Sequence, residues 1–420
     1  MNLVALALKS LWSRRVTMLL TGASIALSVT LLLGVQRIRT GARTSFENTL
    51  SGTDLIAGAR TGPVQLLLYA IFRIGNGTNN VSWESYQHFA HLEDVAWSVP
   101  ISLGDSHRGY RVVGTNADYF THYQYGQHHQ LDFSAGVPFG DLYDAVIGSD
   151  VADALGYSVG TKVILSHGVG EASFTEHENK PFVVSGILAH TGTPVDRSVH
   201  ISLEAIEAIH ADWQDGGPPL PGKEMSASEL RQRALVPTTI TAFLIGLQSK
   251  TAVFRVQRAI NEYQEEPMLA VLPGSTFQEL WRTVGMAETA LMVITIFVVL
   301  TGLIGMLTAI LTSLNERRRE MAVLRSVGAH PRDIFFLLFS ESAALAIGGC
   351  VTGTVLMYTL LGFGRGLIER RLGLNLPLEP LSATDAWLLG GVMVAGALTG
   401  VIPAIKAYRN SLADGLSIRL

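Results

Sequence analysis

Histidine is the residue in this 420-residue chain whose placement most suggests chemistry: eleven of the twelve lie between residues 37 and 285. His88 and His91 are spaced i, i+3, which on a helix puts both imidazoles on one face, and His128 and His129 are adjacent with His122 nearby. Imidazole is a common ligand of zinc, so His88, His91, His128 and His129 are the candidate metal ligands. A zinc-linked transport or sensing system is one function they allow. Against it, there is no His-Glu-x-x-His or paired-cysteine motif, and scattered histidines are commonly solvated or satisfied within a fold. Glu341 is the only formal charge well inside its apolar run. A carboxylate there is costly and marks function. It follows Arg332 and Asp333 by about two helical turns, so it also fits the headgroup level, and a structural or coupling role is expected before proton transport. No catalytic constellation emerges. No G-x-x-x-x-G-K-S/T phosphate loop occurs, so the chain is expected not to hydrolyse ATP itself and to bind no cofactor. Its single cysteine, Cys350, lies in an apolar run and excludes an intrachain disulfide.

These residues sit in a chain that is 48% hydrophobic and only 16% charged, the composition of a membrane protein. A net charge of −4 argues against nucleic acid as a partner. Four stretches, Val16–Gln36, Thr289–Thr312, Ile334–Gly364 and Ala386–Ile405, are long and apolar enough to cross a bilayer. Lys9, Arg14 and Arg15 before the first, five arginines between the second and third, and Lys406, Arg409 and Arg419 after the fourth place those segments in the cytoplasm; Arg365, Arg370 and Arg371 weaken the asymmetry without reversing it. The first stretch is too long for a signal peptide and is expected to stay as an anchor.

The expected organisation follows: lead-in and first span, 1–36; extracytoplasmic domain, 37–285; second span, 286–312; cytoplasmic segment, 313–333; third span, 334–364; short outer loop, 365–385; fourth span, 386–407; tail, 408–420. The fold class is an α-helical membrane protein with four transmembrane helices and a large α+β extracytoplasmic domain. Within that domain, 54–59, 111–114, 145–148, 162–166, 182–188 and 198–202 read as strands, and 83–92, 149–155, 203–211, 227–235 and 250–263 as helices. Polar residues 37–50 and 275–288 are expected to extend the first and second spans as helical stalks.

Between the second and third apolar stretches lies Asn315–Phe335, NERRREMAVLRSVGAHPRDIF. At helical spacing Met321, Leu324 and Val327 share a face and the charges take the rest. Gly328 stops the turn, and Pro331 opens the next helix. Such an arginine-rich amphipathic helix suits a cytoplasmic surface pressed on a partner; a solvated turn is the plainer alternative. The wording resembles the coupling segment of MacB/FtsX-type ABC-transporter permeases, an E-R-x-R-E-x-x-x-L-R-x-x-G-A pattern met here by Glu316, Arg317, Arg319, Glu320, Leu324, Arg325, Gly328 and Ala329. More loosely, AVIGSDVADALGYSVGTKVIL and FVVSGILAHTGTPVDRSVHISLEAI resemble that family's extracytoplasmic core. The tail resembles its closing motif through Pro403, Ala404, Ala407 and Leu416, with Ser411 where the family usually has proline.

The resemblance implies a permease subunit without a fused ATPase. ATP and Mg would be bound by a dimeric cytoplasmic ABC ATPase, whose motion the coupling residues would pass through the spans to the outer domain (mechanotransmission). A second permease copy is expected, in the bacterial inner membrane with the large domain in the periplasm. Export or extraction of a hydrophobic substrate, lipoprotein or peptide is the implied function; a signalling lever acting on a periplasmic partner is the alternative. In lipoprotein-releasing members an outward loop docks a soluble carrier, and Pro218, Pro219 and Pro221 of GGPPLPG are the corresponding docking candidates, though an ordinary connector is the plainer reading.

Overall fold

The computed structural model describes residues 15–168, 175–177, 179–213, 225–316, 321, 323, 326, 328–372 and 378–409. The chain divides into two compact units, one of residues 1–41, 285–367 and 376–420, the other of 42–284 with 368–375. The helices used below are α1 (Arg15–Glu47), α2 (Trp83–Ala90), α3 (Ser149–Leu155), α4 (Leu203–His210), α5 (Val253–Asn261), α6 (Pro273–Glu316), α7 (Pro331–Leu372), α8 (Ala383–Thr399) and α9 (Val401–Arg409).

The first unit is helical. Among the described residues four helical segments are long and apolar enough to cross a membrane: Val16–Glu47, Pro273–Leu314, Pro331–Arg365 and Ala383–Ala407. Their common core takes Ile25, Val29 and Leu33 from α1, Met306 and Ile310 from α6, Cys350 and Met357 from α7, and Leu389 and Val392 from α8. Glycine permits the close approach. A Cβ on Gly349 would come within 2.6 Å of the Ile25 side chain, and one on Gly353 within 2.5 Å of the Ala26 carbonyl oxygen. Gly302 likewise faces Ser28, whereas Gly305 and Gly348 face open space. Hydroxyls supplement this packing: Ser28 Oγ donates to Val298 O at 3.3 Å, and Thr30 Oγ1 to Gly353 O at 3.0 Å. Outside, Leu19, Leu20, Phe297, Ile304, Phe363 and Trp387 are exposed, an apolar exterior that in water would drive association. The fourth segment breaks at Gly400 between α8 and α9. Pro403 explains the position, because its ring displaces the hydrogen bond that the Thr399 carbonyl would otherwise accept.

The second unit is built on one mixed sheet. Its strands are β1 (Leu55–Ala59), β2 (Val95–His107), β3 (Tyr110–Thr115), β4 (Phe133–Gly136), β5 (Asp144–Ile147), β6 (Phe182–Leu188), β7 (Ser198–Ser202), β8 (Ala242–Leu247) and β9 (Met268–Val271). They lie in the order β9-β1-β8-β2-β3-β7-β5-β6-β4. β7 runs parallel to β3, and β6 parallel to β5; the other neighbours on this path are antiparallel. Tyr86 and Phe89 of α2 and Val256 and Ile260 of α5 pack on Leu55, Ala57, Phe243 and Ile245. Val151 of α3 and Ala205, Ala208 and Ile209 of α4 pack on Val112, Ile147, Val199 and Ile201. Aromatic rings close the end nearest the stalks: Phe46 of α1 lies 4.3 Å from Phe72 and 5.7 Å from Trp281 of α6, and Phe72 lies 5.7 Å from Phe277.

The predicted strands 182–188 and 198–202 and helix 149–155 appear at those bounds. α1 and α6 continue through the polar stretches as helices. Three elements differ from the expectation. The expected strand 162–166 is two short pieces with different partners, Val163 opposite Phe182 and Ser166 opposite Ser106. Helix 227–235 stops at Leu230. Helix 250–263 begins as a 3-10 turn, Lys250–Ala252, capped by the Ser249 side chain, and its α-helical part ends at Asn261.

Side chains alternate across β7, so Val199 and Ile201 enter the helix-covered core while His200 points to the other face, 5.2 Å from the Tyr119 ring. Burial, reinforced by the Arg73 guanidinium, pushes the His200 imidazole down to about 3. An unfolded histidine titrates near 6.5. The native state therefore binds fewer protons between those values, and the stability His200 contributes above that window is lost as pH falls through it toward 3. In full-length protein in detergent, the pH slope of unfolding free energy between these values should fall by about one proton in His200→Leu. Acid titrations followed by near-ultraviolet circular dichroism would reveal an unchanged slope if this account is wrong.

Candidate functional site

At the charged segment between α6 and α7, Met321 is buried with Leu314 of α6, Ile334 and Leu338 of α7, and Ala404 and Ala407 of α9. Val323 and Ser326 are exposed. Gly328 has φ +101°, a left-handed geometry that suits glycine and ends the turn where the sequence pattern expects. The His330 amide then donates to the Asp333 carboxylate at 2.8 Å, tightening the entry to α7. Arg317, Arg319, Glu320, Leu324 and Arg325 lie outside the described residues, as does the side chain of Glu316. The apolar footing of the segment is thus visible through Met321.

Glu341 is buried on α7 next to Ser342, whose hydroxyl donates to Leu338 O at 3.0 Å. Gly400 makes room for Ser342, since a Cβ there would lie 2.2 Å from Ser342 Oγ. A second charge is met by an ion pair that the sequence did not suggest. Arg37 Nη2 of α1 lies 2.8 Å from Asp385 Oδ2 of α8 and donates to Pro380 O at 2.5 Å. Asp385 also accepts from the Ser382 amide at 2.9 Å, closing a capping box at the start of α8. Arg39 of α1 pairs with Glu288 of α6 at 2.8 Å. Asp385 closes the stretch 365–385 expected as a short outer loop, and nothing in local spacing links it to Arg37.

None of the four candidate histidines belongs to a described group of three or more ligand atoms within 4.8 Å of one another. His88 stacks on Tyr263 at 5.4 Å. His91 Nδ1 lies 2.8 Å from Gln87 O, His128 Nδ1 lies 3.0 Å from Gln124 Oε1, and the His129 ring lies 5.8 Å from Tyr125. Other residues converge instead: Asp105 at the end of β2, His167, His177, and His210 at the end of α4 have ligand atoms all within 4.8 Å of one another. Asp150, His190 and Asp196 form a second such group. Pro218, Pro219 and Pro221 lie outside the described residues.

The first group is held by α4. Ser202 caps the start of that helix, accepting from the Ala205 amide at 3.1 Å. At its other end the buried Lys180 ammonium donates to Ala208 O at 3.1 Å and to Asp212 Oδ1 at 2.8 Å, a cation where helix carbonyls lack partners. His210 is thereby fixed, and its Nδ1 donates to Ile206 O at 2.9 Å. His167 Nδ1 lies 3.1 Å from both Asp105 Oδ1 and His210 Nε2. Trp213 covers the three rings at 4.6 to 5.8 Å. Burial pushes the His177 imidazole down to about 4, while the hydrogen bond with Asp105 raises His167.

Residues 18–263 match the family model of a MacB-like periplasmic core domain, and residues 292–412 that of an FtsX-like permease C-terminal. Over 415 residues the chain is 24% identical to the macrolide export ATP-binding/permease protein MacB of Nitrobacter winogradskyi, covering 95% of this chain and 57% of that protein. Over 143 residues it is 32% identical to an uncharacterized ABC transporter permease of Methanocaldococcus jannaschii, covering 32% of this chain and 34% of that one. It matches a pyoverdine export ATP-binding/permease protein of Pseudomonas syringae pv. tomato at 31% identity over 110 residues, 26% of this chain and 16% of that protein. The chain therefore spans little more than half the length of the first of these relatives and less of the others. Among solved structures, the periplasmic region of MacB from Actinobacillus actinomycetemcomitans aligns with a TM-score of 0.34 at 8% identity, covering 55% of this chain and 94% of that one.

The Lys180–Asp212 pair carries a prediction. Both side chains are buried, at 1% and 4% exposure. Lys180→Met leaves the Asp212 carboxylate and the α4 carbonyls without their cation and should cost about 3–5 kcal/mol of stability. Lys180→Met with Asp212→Leu removes both charges and should recover part of that loss. Chemical denaturation of the full-length protein measures both, and a single variant as stable as the parent would contradict the account.

Proposed function

We infer the function of this chain from its family: it belongs to the MacB/FtsX-type ABC-transporter permeases. In this reading it is a permease subunit that couples ATP hydrolysis by a cytoplasmic ABC ATPase to motion of its α+β domain. The charged segment Glu316–Gly328 is the docking element, and two permease chains work with two ATPases. The α+β domain lies in the periplasm and the helices in the bacterial inner membrane. The observation that carries this is the charged segment's setting. It joins two long apolar helices, α6 and α7, and Met321 roots it in a core shared with α9, so force on its arginines is delivered to helix ends rather than absorbed by a free loop.

Two further features support mechanical transmission. α1 and α6 are single helices of 33 and 44 residues, joined by the Arg39–Glu288 ion pair in one unit and by the Phe46–Trp281 contact in the other. The interior of the helical unit is filled by Val29, Leu33, Met306, Cys350 and Met357, which supports handling of cargo on the outer side rather than through a polar conduit. The relatives are named for macrolide and pyoverdine export; for this chain the cargo class is a hydrophobic substrate, lipoprotein or peptide.

Arg317→Glu combined with Arg325→Glu should abolish co-purification of the ATPase from detergent and its permease-dependent stimulation, while leaving the melting temperature of the permease unchanged. Undiminished ATPase binding by the folded double variant would remove the docking assignment.

A further inference from the structure

We propose that Asp105, His167, His177 and His210 form a binding site for a divalent transition-metal ion, zinc(II) foremost, within the α+β domain. The site is independent of ATPase docking and stands or falls by itself.

Geometry is the first support. A tetrahedral zinc ion holds nitrogen and oxygen ligands at about 2.0–2.1 Å, which sets ligand atoms about 3.3–3.4 Å apart. Three of the four donors here already make such a face: His167 Nδ1 to Asp105 Oδ1 is 3.1 Å, His167 Nδ1 to His210 Nε2 is 3.1 Å, and His210 Nε2 to Asp105 Oδ1 is 3.7 Å. A ring nitrogen of His177 completes the set within the 4.8 Å limit, and a modest inward movement of that ring closes the tetrahedron.

Proton accounting is the second. The bond from His210 Nδ1 to Ile206 O at 2.9 Å requires hydrogen on Nδ1, because a carbonyl cannot donate. In the neutral ring the lone pair is then on Nε2, directed into the cluster. A backbone carbonyl on the far nitrogen is the usual way a ligating imidazole is oriented. His177 is 4% exposed, and its Nε2 is buried without a hydrogen-bond partner among the described residues, an arrangement that costs free energy unless something fills it. Asp105 is 1% exposed. Lone pairs and a buried carboxylate thus converge where a cation would satisfy them together. Three imidazoles with one carboxylate favour zinc and its neighbours over calcium or magnesium, which prefer all-oxygen sites. Bound metal would tie β2, the segment around His167 and His177, and the end of α4 to one point.

The test uses the full-length protein in detergent, stripped with a chelator and titrated with zinc chloride by calorimetry. One ion per chain should bind with micromolar or tighter affinity and raise the melting temperature. His177→Ala with His210→Ala should weaken binding by at least about tenfold, as loss of even supporting groups does at metal sites, and should abolish the thermal shift, whereas His88→Ala with His91→Ala should leave both intact. Cobalt(II) should give the intense visible bands of a tetrahedral ion. His167→Cys should add a thiolate-to-cobalt charge-transfer band, so the ligand set remains testable if the alanine variants unfold. Absence of saturable binding at high micromolar zinc, or binding unchanged in the folded double variant, would overturn the proposal; so would a cobalt spectrum of purely octahedral character.

Discussion

The α+β unit depends on one strand. β2 spans Val95–His107, and its pairing changes partner midway: residues 95–101 pair with β8 and residues 102–107 with β3. Segments distant in sequence, β1 with β8 and β9 on one side and β3 to β7 on the other, become one sheet because this strand is hydrogen-bonded to both. Pro100 stands near the change. Proline cannot donate to a ladder, but its carbonyl accepts from Thr115 Oγ1 at 2.7 Å, so the missing donor coincides with the place where the strand turns from one neighbour to the other. The same strand ends by presenting Asp105 to His167 and His210. Sheet continuity and the side-chain cluster therefore share a cause.

In the helical unit the corresponding constraint is close approach among apolar helices. Where every surface is apolar, burial alone does not choose which faces meet; small residues and a few polar contacts do. α1 is the helix on which the others close. Gly302 of α6 and Gly349 and Gly353 of α7 admit it, and Arg37 reaches Asp385 at the start of α8. An arginine at the end of an apolar stretch carries a large desolvation cost unless paired, and the Asp385 carboxylate meets that cost for Arg37.

The sequence is legible where the determinants are local. Apolar length located the four helices, β-branched runs between glycines located β6 and β7, and Gly328 marked the end of a turn because left-handed backbone favours that residue. It is opaque where contacts are distant. β2, β8 and β9 are not among the expected strands: β2 carries Pro100 and Gly104, residue types disfavoured inside strands, and β8 and β9 lack the alternation of a half-exposed strand because both are largely buried. The Arg37–Asp385 pair joins residues hundreds of positions apart. Histidine spacing drew notice to His88 with His91 and His128 with His129, but spacing reports only what one helix or turn brings together. Asp105, His167, His177 and His210 come from separate elements, and only the sheet register brings them to one place.

The end of α4 shows how these levels combine. Helix carbonyls at a C-terminus carry partial negative charge, and two buried carboxylates, Asp105 and Asp212, stand close to this one. Lys180 answers Asp212 and the carbonyls of Ala208 and Ile209. Asp105 has no lysine or arginine within ion-pair distance among the described residues; its partners are the imidazoles of His167 and His210. An imidazole can supply positive charge by taking up a proton, or it can turn a lone pair toward a shared cation. The hydrogen bond that His210 Nδ1 gives to Ile206 O fixes the ring under either choice. Fixing the ring by its outer nitrogen aims the inner one at the cluster, where His167 Nδ1 lies 3.1 Å from both it and the Asp105 carboxylate, a place that a shared proton or a shared cation fills.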